Sequence, residues 1–343
     1  MKRLPLIVAL TFVLFSVAAP LLAELPPLIP REVLFGNPQR TSPRLSPDGT
    51  RLAWIAPDAK NVLQVWVKTI GKEDAAAVTA DKKRGIRRYF WAGDNRTILY
   101  LQDNDGDENF HMYGVDLEAK TVRDYTAFQG VRADIDAVDP KFPDTVLVTL
   151  NARDRSVFDE YRLTLSTGAL VLDTKNPGDV QGFVSDADLH VRAAQVGTAD
   201  GGTEIRVRET VASRWKTLIK VGPDEILGAA GDFSPDGKSI ILLSSVGSDT
   251  ARVVEKNLST GAERVIASSP DVDAEEVITN PNTHRVEAVG FQPDRLHYTI
   301  DDPSVKSDFD ALAKLADGDF AIVSRNHADD VWLVGFTSDR GPA

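Results

Sequence analysis

One short phrase returns along this chain about every 45 residues: an apolar residue, a tight polar turn, then an alternating run of β-forming residues. Leu45-Ser46-Pro47-Asp48-Gly49 leads into such a run, and so does Phe233-Ser234-Pro235-Asp236-Gly237. Variants of the phrase surround Asp94, Phe142, Asp186, Asn282 and Asp317. With Asp48, Asp94, Phe142, Asp186, Asp236, Asn282 and Asp317 as anchors, the steps are 46, 48, 44, 50, 46 and 35 residues. A second phrase sits between anchors, in Leu165-Ser166-Thr167-Gly168, Leu258-Ser259-Thr260-Gly261 and the stretch from Val115 to Lys120. Proline presets φ and glycine supplies the positive φ that closes a hairpin, so both phrases are turn chemistry. Four strands per step of this length is the pattern of a propeller blade. The sequence therefore predicts an all-β, seven-bladed β-propeller with four-stranded antiparallel blades. A β-sandwich with incidental turns would not return one phrase seven times.

Three stretches depart from the repeat. Lys2 and Arg3 precede an apolar run from Leu6 to Ala19, Pro20 breaks it, and Leu21-Leu22-Ala23 offers a cleavage site. The run is shorter than the roughly 20 residues a spanning helix needs, so residues 1–23 read as a secretory signal peptide. Residues 24–41 are proline-rich and read as a lead-in to a propeller over 42–343. Within the last repeat, Phe309, Leu312 and Leu315 recur at helical spacing, with Asp302 or Ser304 available as a cap, predicting a helical insertion over 301–315. Residues 330–337 alternate as a final strand. The expected location is exported, periplasmic or secreted, with no membrane association once the signal is removed.

Composition narrows the function classes. Lysine plus arginine total 39 against 51 aspartates and glutamates, a net charge of -12. Such a chain lacks the basic surface that nucleic-acid binding needs, so no nucleic-acid partner is expected. There are no cysteines, which removes disulfides, thiol catalysis and cysteine-bound metals.

Two stretches carry a family resemblance. Ile29-Pro30-Arg31-Glu32-Val33-Leu34-Phe35-Gly36-Asn37-Pro38 with Ser42-Pro43-Arg44-Leu45-Ser46-Pro47-Asp48-Gly49 resembles the start of exported bacterial serine peptidases of the prolyl oligopeptidase family. Tyr100-Leu101-Gln102-Asp103-Asn104-Asp105-Gly106-Asp107-Glu108-Asn109, running into His111 and Tyr113, is similar to their second blade. The members it resembles are dipeptidyl and acylaminoacyl peptidases, and the likeness runs over residues 29–342. It implies a propeller that limits access to short or unfolded peptides, partnered by a C-terminal α/β-hydrolase domain that holds the catalytic triad. The Gly-x-Ser-x-Gly nucleophile elbow of that domain is not in this chain. Ser245-Val246-Gly247-Ser248-Asp249 comes nearest, but it lacks the second glycine and has a β-hairpin context. No catalytic residue is assigned, and the chain by itself is expected to be inactive. A standalone periplasmic binding propeller similar to TolB-type modules is the alternative, with a protein as its partner. A metal-dependent lactonase-type propeller is a third reading, disfavoured because no acidic residue or histidine repeats from blade to blade.

The densest polar cluster is Asp103-Asn104-Asp105-Gly106-Asp107-Glu108-Asn109. Asp103, Asp105 and Asp107 match the first ligands of a calcium loop, but Glu108 replaces its glycine and Gly114 its bidentate glutamate. The loop reads either as a hairpin connection or, by the resemblance, as a contact for a peptide or a peptidase domain. Asp105, Asp107, Glu108 and Asn109 are the candidate contact residues, with Asp107 or Glu108 able to hold a peptide's amino terminus. Glu275-Glu276 reads as a solvated acidic turn, and the five histidines are scattered, so no metal and no cofactor is assigned. Lys82-Lys83-Arg84 with Arg87-Arg88 reads as a solvated loop or an interdomain contact. Tyr89, Phe90 and Trp91 read as core, and Trp54, Trp66, Trp215 and Trp332 as packing between blades.

Overall fold

The structure is a computed structural model that describes residues 28–341. The signal-peptide stretch lies outside the described residues. Residues up to Asn37 form one unit and those from Pro38 onward a second. Of the first, the described part is a short exposed helix, Arg31–Phe35.

The second unit is built from seven antiparallel sheets in chain order. Five have four strands and cover residues 41–77, 89–124, 133–174, 180–221 and 227–267. The sixth, 274–300, has three strands and the seventh, 319–337, has two. Within every sheet, strands adjacent in sequence are adjacent in space, so all pairing is by local hairpins. Four strands in every repeat is thus corrected at the last two. After His297–Ile300 the chain leaves the sheet because Asp302 caps a tight turn by accepting from the Ser304 amide at 2.9 Å. Pro303, which has no amide hydrogen, sits at the head of that turn. The helix Lys306–Leu312 follows, as expected, with Phe309 and Leu312 packed inward. Leu315, expected on the same face, lies beyond the helix and is 71% exposed.

The turn joining the first and second strands has a fixed chemistry. The Ser46 amide donates to the Arg51 carbonyl, and Ser234 to Ser239, Asn280 to Arg285 and Asn326 to Val331 do the same at 2.9 to 3.2 Å. A side-chain oxygen braces the turn from inside. Ser46 Oγ accepts from the Arg51 amide at 2.9 Å and Asn326 Oδ1 from the Val331 amide at 3.0 Å. This corrects the seventh anchor. Asp317 lies before the strand Asp319–Arg325, and the counterpart of Asp48 is in the turn that begins at Asn326. The irregular last step disappears with it, since Asn280 and Asn326 are again about 46 residues apart.

The apolar core is divided. Six clusters of buried side chains occur, each at a junction between consecutive sheets. Leu99 and Met112 of the second sheet meet Val146 and Leu163 of the third in one of them. Tyr89 and Trp91 belong to such a cluster, whereas Phe90 is half-buried, with the guanidinium groups of Arg44 and Arg88 5.6 and 5.9 Å from its ring centre. Trp332 packs in the last cluster, and Trp215 stacks on Phe183 under Arg208. Trp54 is buried, and Trp66 donates its indole N–H to the Ala56 carbonyl.

The turns also bond from sheet to sheet. The Asp48 amide donates to Asn95 Oδ1, Lys141 pairs with Asp188, Arg192 donates to the Gly237 carbonyl, and Asn282 donates to the His327 carbonyl. The last sheet reaches the first, because the His327 amide donates to the Pro47 carbonyl at 2.6 Å and Leu45 donates to Ser324 Oγ at 3.1 Å.

Candidate functional site

Antiparallel pairing sorts the connections to two edges of each sheet. The first strand runs up to its turn, so its beginning lies at the opposite edge, beside the loop that joins the second strand to the third. In the second sheet the Leu101 amide donates to the Arg88 carbonyl there, and Ala133 of the third sheet donates to the Phe110 carbonyl. The acidic loop 103–109 is at this edge, between the strands Thr97–Gln102 and His111–Asp116.

The loop is held from within and from one neighbour. Asp107 Oδ1 accepts from the amides of Asn104 and Asn109 at 3.2 and 3.1 Å. Partial desolvation opposes these bonds, yet the Asn109 and Asn104 amides hold its carboxyl below the usual range. Buried Asp103 accepts from the Glu108 amide at 3.3 Å and stands 3.9 Å from Arg84. Asp105 pairs with Lys83 at 3.1 Å. The basic run is exposed to solvent, as a solvated loop would be, and two of its residues, Lys83 and Arg84, pair with the acidic loop. Charge complementarity between the two stretches was the signal for it. Asn109 is half-buried.

Glu108 differs from the other three candidates. Its backbone is left-handed at φ 60, a region that costs a side chain with a Cβ and that Asp105 shares at φ 57, so what sets Glu108 apart is its side chain. Its exposed carboxylate has no hydrogen-bond or ion-pair partner among the described residues. Strain of this kind persists where the surroundings over-determine it.

The remaining candidates fall elsewhere. Glu275 and Glu276 are in the strand Ala274–Thr279, not in a turn; Glu275 is exposed and Glu276 accepts from the Tyr298 hydroxyl at 2.7 Å. Residues 245–249 connect the paired strands Ser239–Ser244 and Arg252–Asn257, the hairpin context read from the sequence. His111 bonds Asp124 at 2.8 Å, and His284 lies 3.2 Å from Asp139. Among the described residues no group of three or more histidines and acids could hold a metal ion. No helix among them is long and apolar enough to cross a membrane.

Sequence reasoning missed a cavity of about 440 Å³ between the first strands of the third and fourth sheets. Arg88, Arg132, Asp134, Asp136, Thr149 and Gln181 line it. Arg88 pairs with Asp134 at 2.8 Å, and Arg132 lies 5.5 Å over the Phe110 ring. Asp136 opens to solvent but is crowded by protein on its other sides. That crowding, and then the Asp134 charge, push its carboxyl up to about 6. Alternation gave no cue to it, because Asp136 is the unpaired residue of a bulge in the strand Ala133–Val138.

The amino-acid sequence aligns with a bacterial peptidase, dipeptidyl aminopeptidase BIII of Pseudoxanthomonas mexicana, at 33% identity over 317 residues. The chain is homologous to that enzyme over part of its length. The alignment takes in 92% of this chain and 46% of the relative. Dipeptidyl peptidase family member 6 of Caenorhabditis elegans is 24% identical over 331 residues, 92% of this chain and 45% of the relative. The chain thus spans about half the length of the curated relatives it matches. No protein-family model matches it. Among solved structures, oligogalacturonate lyase of Vibrio parahaemolyticus superposes with a TM-score of 0.54 at 13% identity. That match covers 86% of this chain and 85% of the other, and it concerns the fold.

Proposed function

We propose that this chain is the substrate-gating, non-catalytic propeller portion of an exported serine peptidase of the prolyl oligopeptidase type that cleaves short peptides. The observation that carries the proposal is the match of nearly the whole chain to less than half of a dipeptidyl aminopeptidase. The remaining length of such an enzyme has room for a hydrolase domain of ordinary size. In this reading the seven sheets are the blades of a closed ring, supported by the bonds from Leu45 and Pro47 to the last sheet. The first strand of each sheet lines the central tunnel. Residues 1–23 direct export to the periplasm or beyond, 24–41 lead in, and 42–343 form the ring.

The edge carrying loop 103–109 faces the hydrolase domain and the incoming peptide. Asp105 and Asp107 shape the loop through Lys83 and the loop amides, Asn109 anchors its end, and Glu108 presents a free carboxylate to a peptide ammonium. The test is binding of an unblocked tetrapeptide and of a relative's hydrolase domain to the purified chain. The Asp107→Ala, Glu108→Ala double variant is expected to keep the fold and weaken both. Glu108→Gln keeps the loop's internal bonds, and it is expected to weaken the unblocked peptide while leaving its N-acetylated form unaffected. Unchanged binding in both assays rejects the site. Tight binding of an unrelated protein, with no response to either probe, favours a standalone TolB-like binding module.

A further inference from the structure

Glu160 is the least accommodated side chain among the described residues. It is fully buried, and neither carboxylate oxygen has a hydrogen-bond partner among them. Its strand, Asp159–Thr164, places it opposite Thr149, which in turn is opposite Asp134. Residues opposite one another on antiparallel strands project to the same face. Thr149 and Asp134 line the cavity between the third and fourth sheets, so Glu160 is directed to that same side, behind its wall.

The charges around this carboxyl do not neutralise it. On the first strand of its sheet stand Asp134, already paired with Arg88, and Asp136. On the last strand, Asp173 pairs with Arg162 at 3.2 Å and accepts from Thr174 Oγ1. Arg162 is thus shared with another acid. On its own strand, Asp159 is taken up by Arg153 at 2.7 Å. From the fourth sheet, Arg208 reaches the Thr174 hydroxyl and the carbonyls of Val191 and Val211. Arg132 stands over Phe110 instead. Burial, then Asp136 and Asp173, raise the Glu160 carboxyl well above its usual range, with Arg162 opposing them. An isolated buried carboxylate neutralises instead of staying charged.

We propose that Asp136 and Glu160 form one proton-holding site in the wall of this cavity. At neutral pH the pair carries a single negative charge, with the proton on Glu160 and the charge on solvent-facing Asp136. In mildly acidic medium Asp136 takes up a second proton, so the pair becomes neutral and the Arg88 and Arg132 cations of the lining outnumber Asp134. A cationic group that enters the cavity is then attracted near pH 7 and released near pH 5. The stability consequence has a definite sign. Acids whose pKa is raised by folding contribute stability that is present below their unfolded pKa and lost as pH rises through the folded one.

The experiment is infrared spectroscopy of the full chain in heavy water, with thermal melting from pH 5 to pH 8. The wild type is expected to show the carbonyl stretch of a protonated carboxyl at pH 7, and its Tm, taken relative to that of Glu160→Gln, is expected to fall as the pH rises. Glu160→Gln removes that band. Should Glu160→Gln not fold, Asp136→Asn serves: the band remains and the step in Tm near pH 6 is lost. No protonated band in the wild type at pH 7, or a band that survives in Glu160→Gln, overturns the proposal. So does a Tm increase on adding calcium that the wild type shows and Glu160→Gln does not, since the pair is then a metal site.

Discussion

His284 Nε2 stands 3.2 Å from Asp139 Oδ2, so the turn of the sixth sheet meets the turn of the third. These sheets are not neighbours in the chain, and both side chains are largely shielded from solvent. Together with the bond from His327 to Pro47, this contact draws the turn edge together. The opposite edge carries Arg88, Arg132 and the acidic loop, and there the Glu108 carboxylate has no partner among the described residues. The two edges are chemically different.

Asp139→Asn removes the acceptor charge from a shielded contact and is expected to cost about 1 to 3 kcal/mol in urea unfolding. The loss should change little between low and high salt, because the pair is poorly accessible to ions. A variant as stable as the wild type would make the contact incidental.

Glu108→Gly relieves the left-handed backbone and is expected to raise stability by about 1 kcal/mol. Peptide binding should fall at the same time, the pattern of a site that trades stability for function. If Glu108→Gly binds as well as the wild type, the strain has no part in recognition.

Gly106 has φ +92, and a Cβ built there would lie 2.9 Å from Arg84 Nη1. Gly106→Ala is expected to destabilise by more than about 1 kcal/mol. Lys83→Ala, which breaks the exposed pair with Asp105, is expected to cost less than about 0.5 kcal/mol. Calorimetric melts of both variants check the ranking, and the reverse order would contradict the account of how the loop is held.

Burial holds the His327 imidazole below its usual range, against the opposing pull of Asp139 and Asp48. Folding lowers this pKa, so its contribution is complete above the unfolded value of about 6.5 and lost as pH falls through the folded one. His327→Gln keeps the backbone bond to Pro47 and is expected to flatten the acid side of the stability curve below about pH 6.5. An unchanged acid limb would show that the imidazole is not the group titrating.

The repeat was legible because turn chemistry is local. Ser46, Pro47, Asp48 and Gly49 specify their hairpin whatever lies around them, and Ser234 to Gly237 do the same. The last repeat was misplaced because Asn326 braces its turn with an amide in place of the serine hydroxyl, and no proline or glycine marks the position. Leu315 followed the helical spacing of Phe309 and Leu312, but the helix stops at Leu312 and tertiary packing decides what lies beyond. The acidic loop was found as a cluster, and the sorting of its acids depended on Lys83 and Arg84, which approach only in three dimensions. Asp136 and Glu160 stand in strands of unremarkable composition. Their significance comes from register and burial, neither of which is written in one strand's sequence.

If these residues are the propeller of a larger peptidase, the native protein is larger than this chain. An antibody raised against this chain, applied to the native protein in cell extract and medium, measures that mass. A band at about twice the mass of this chain, as a hydrolase domain of ordinary size would give, is the predicted result. A native band no larger than this chain would contradict it.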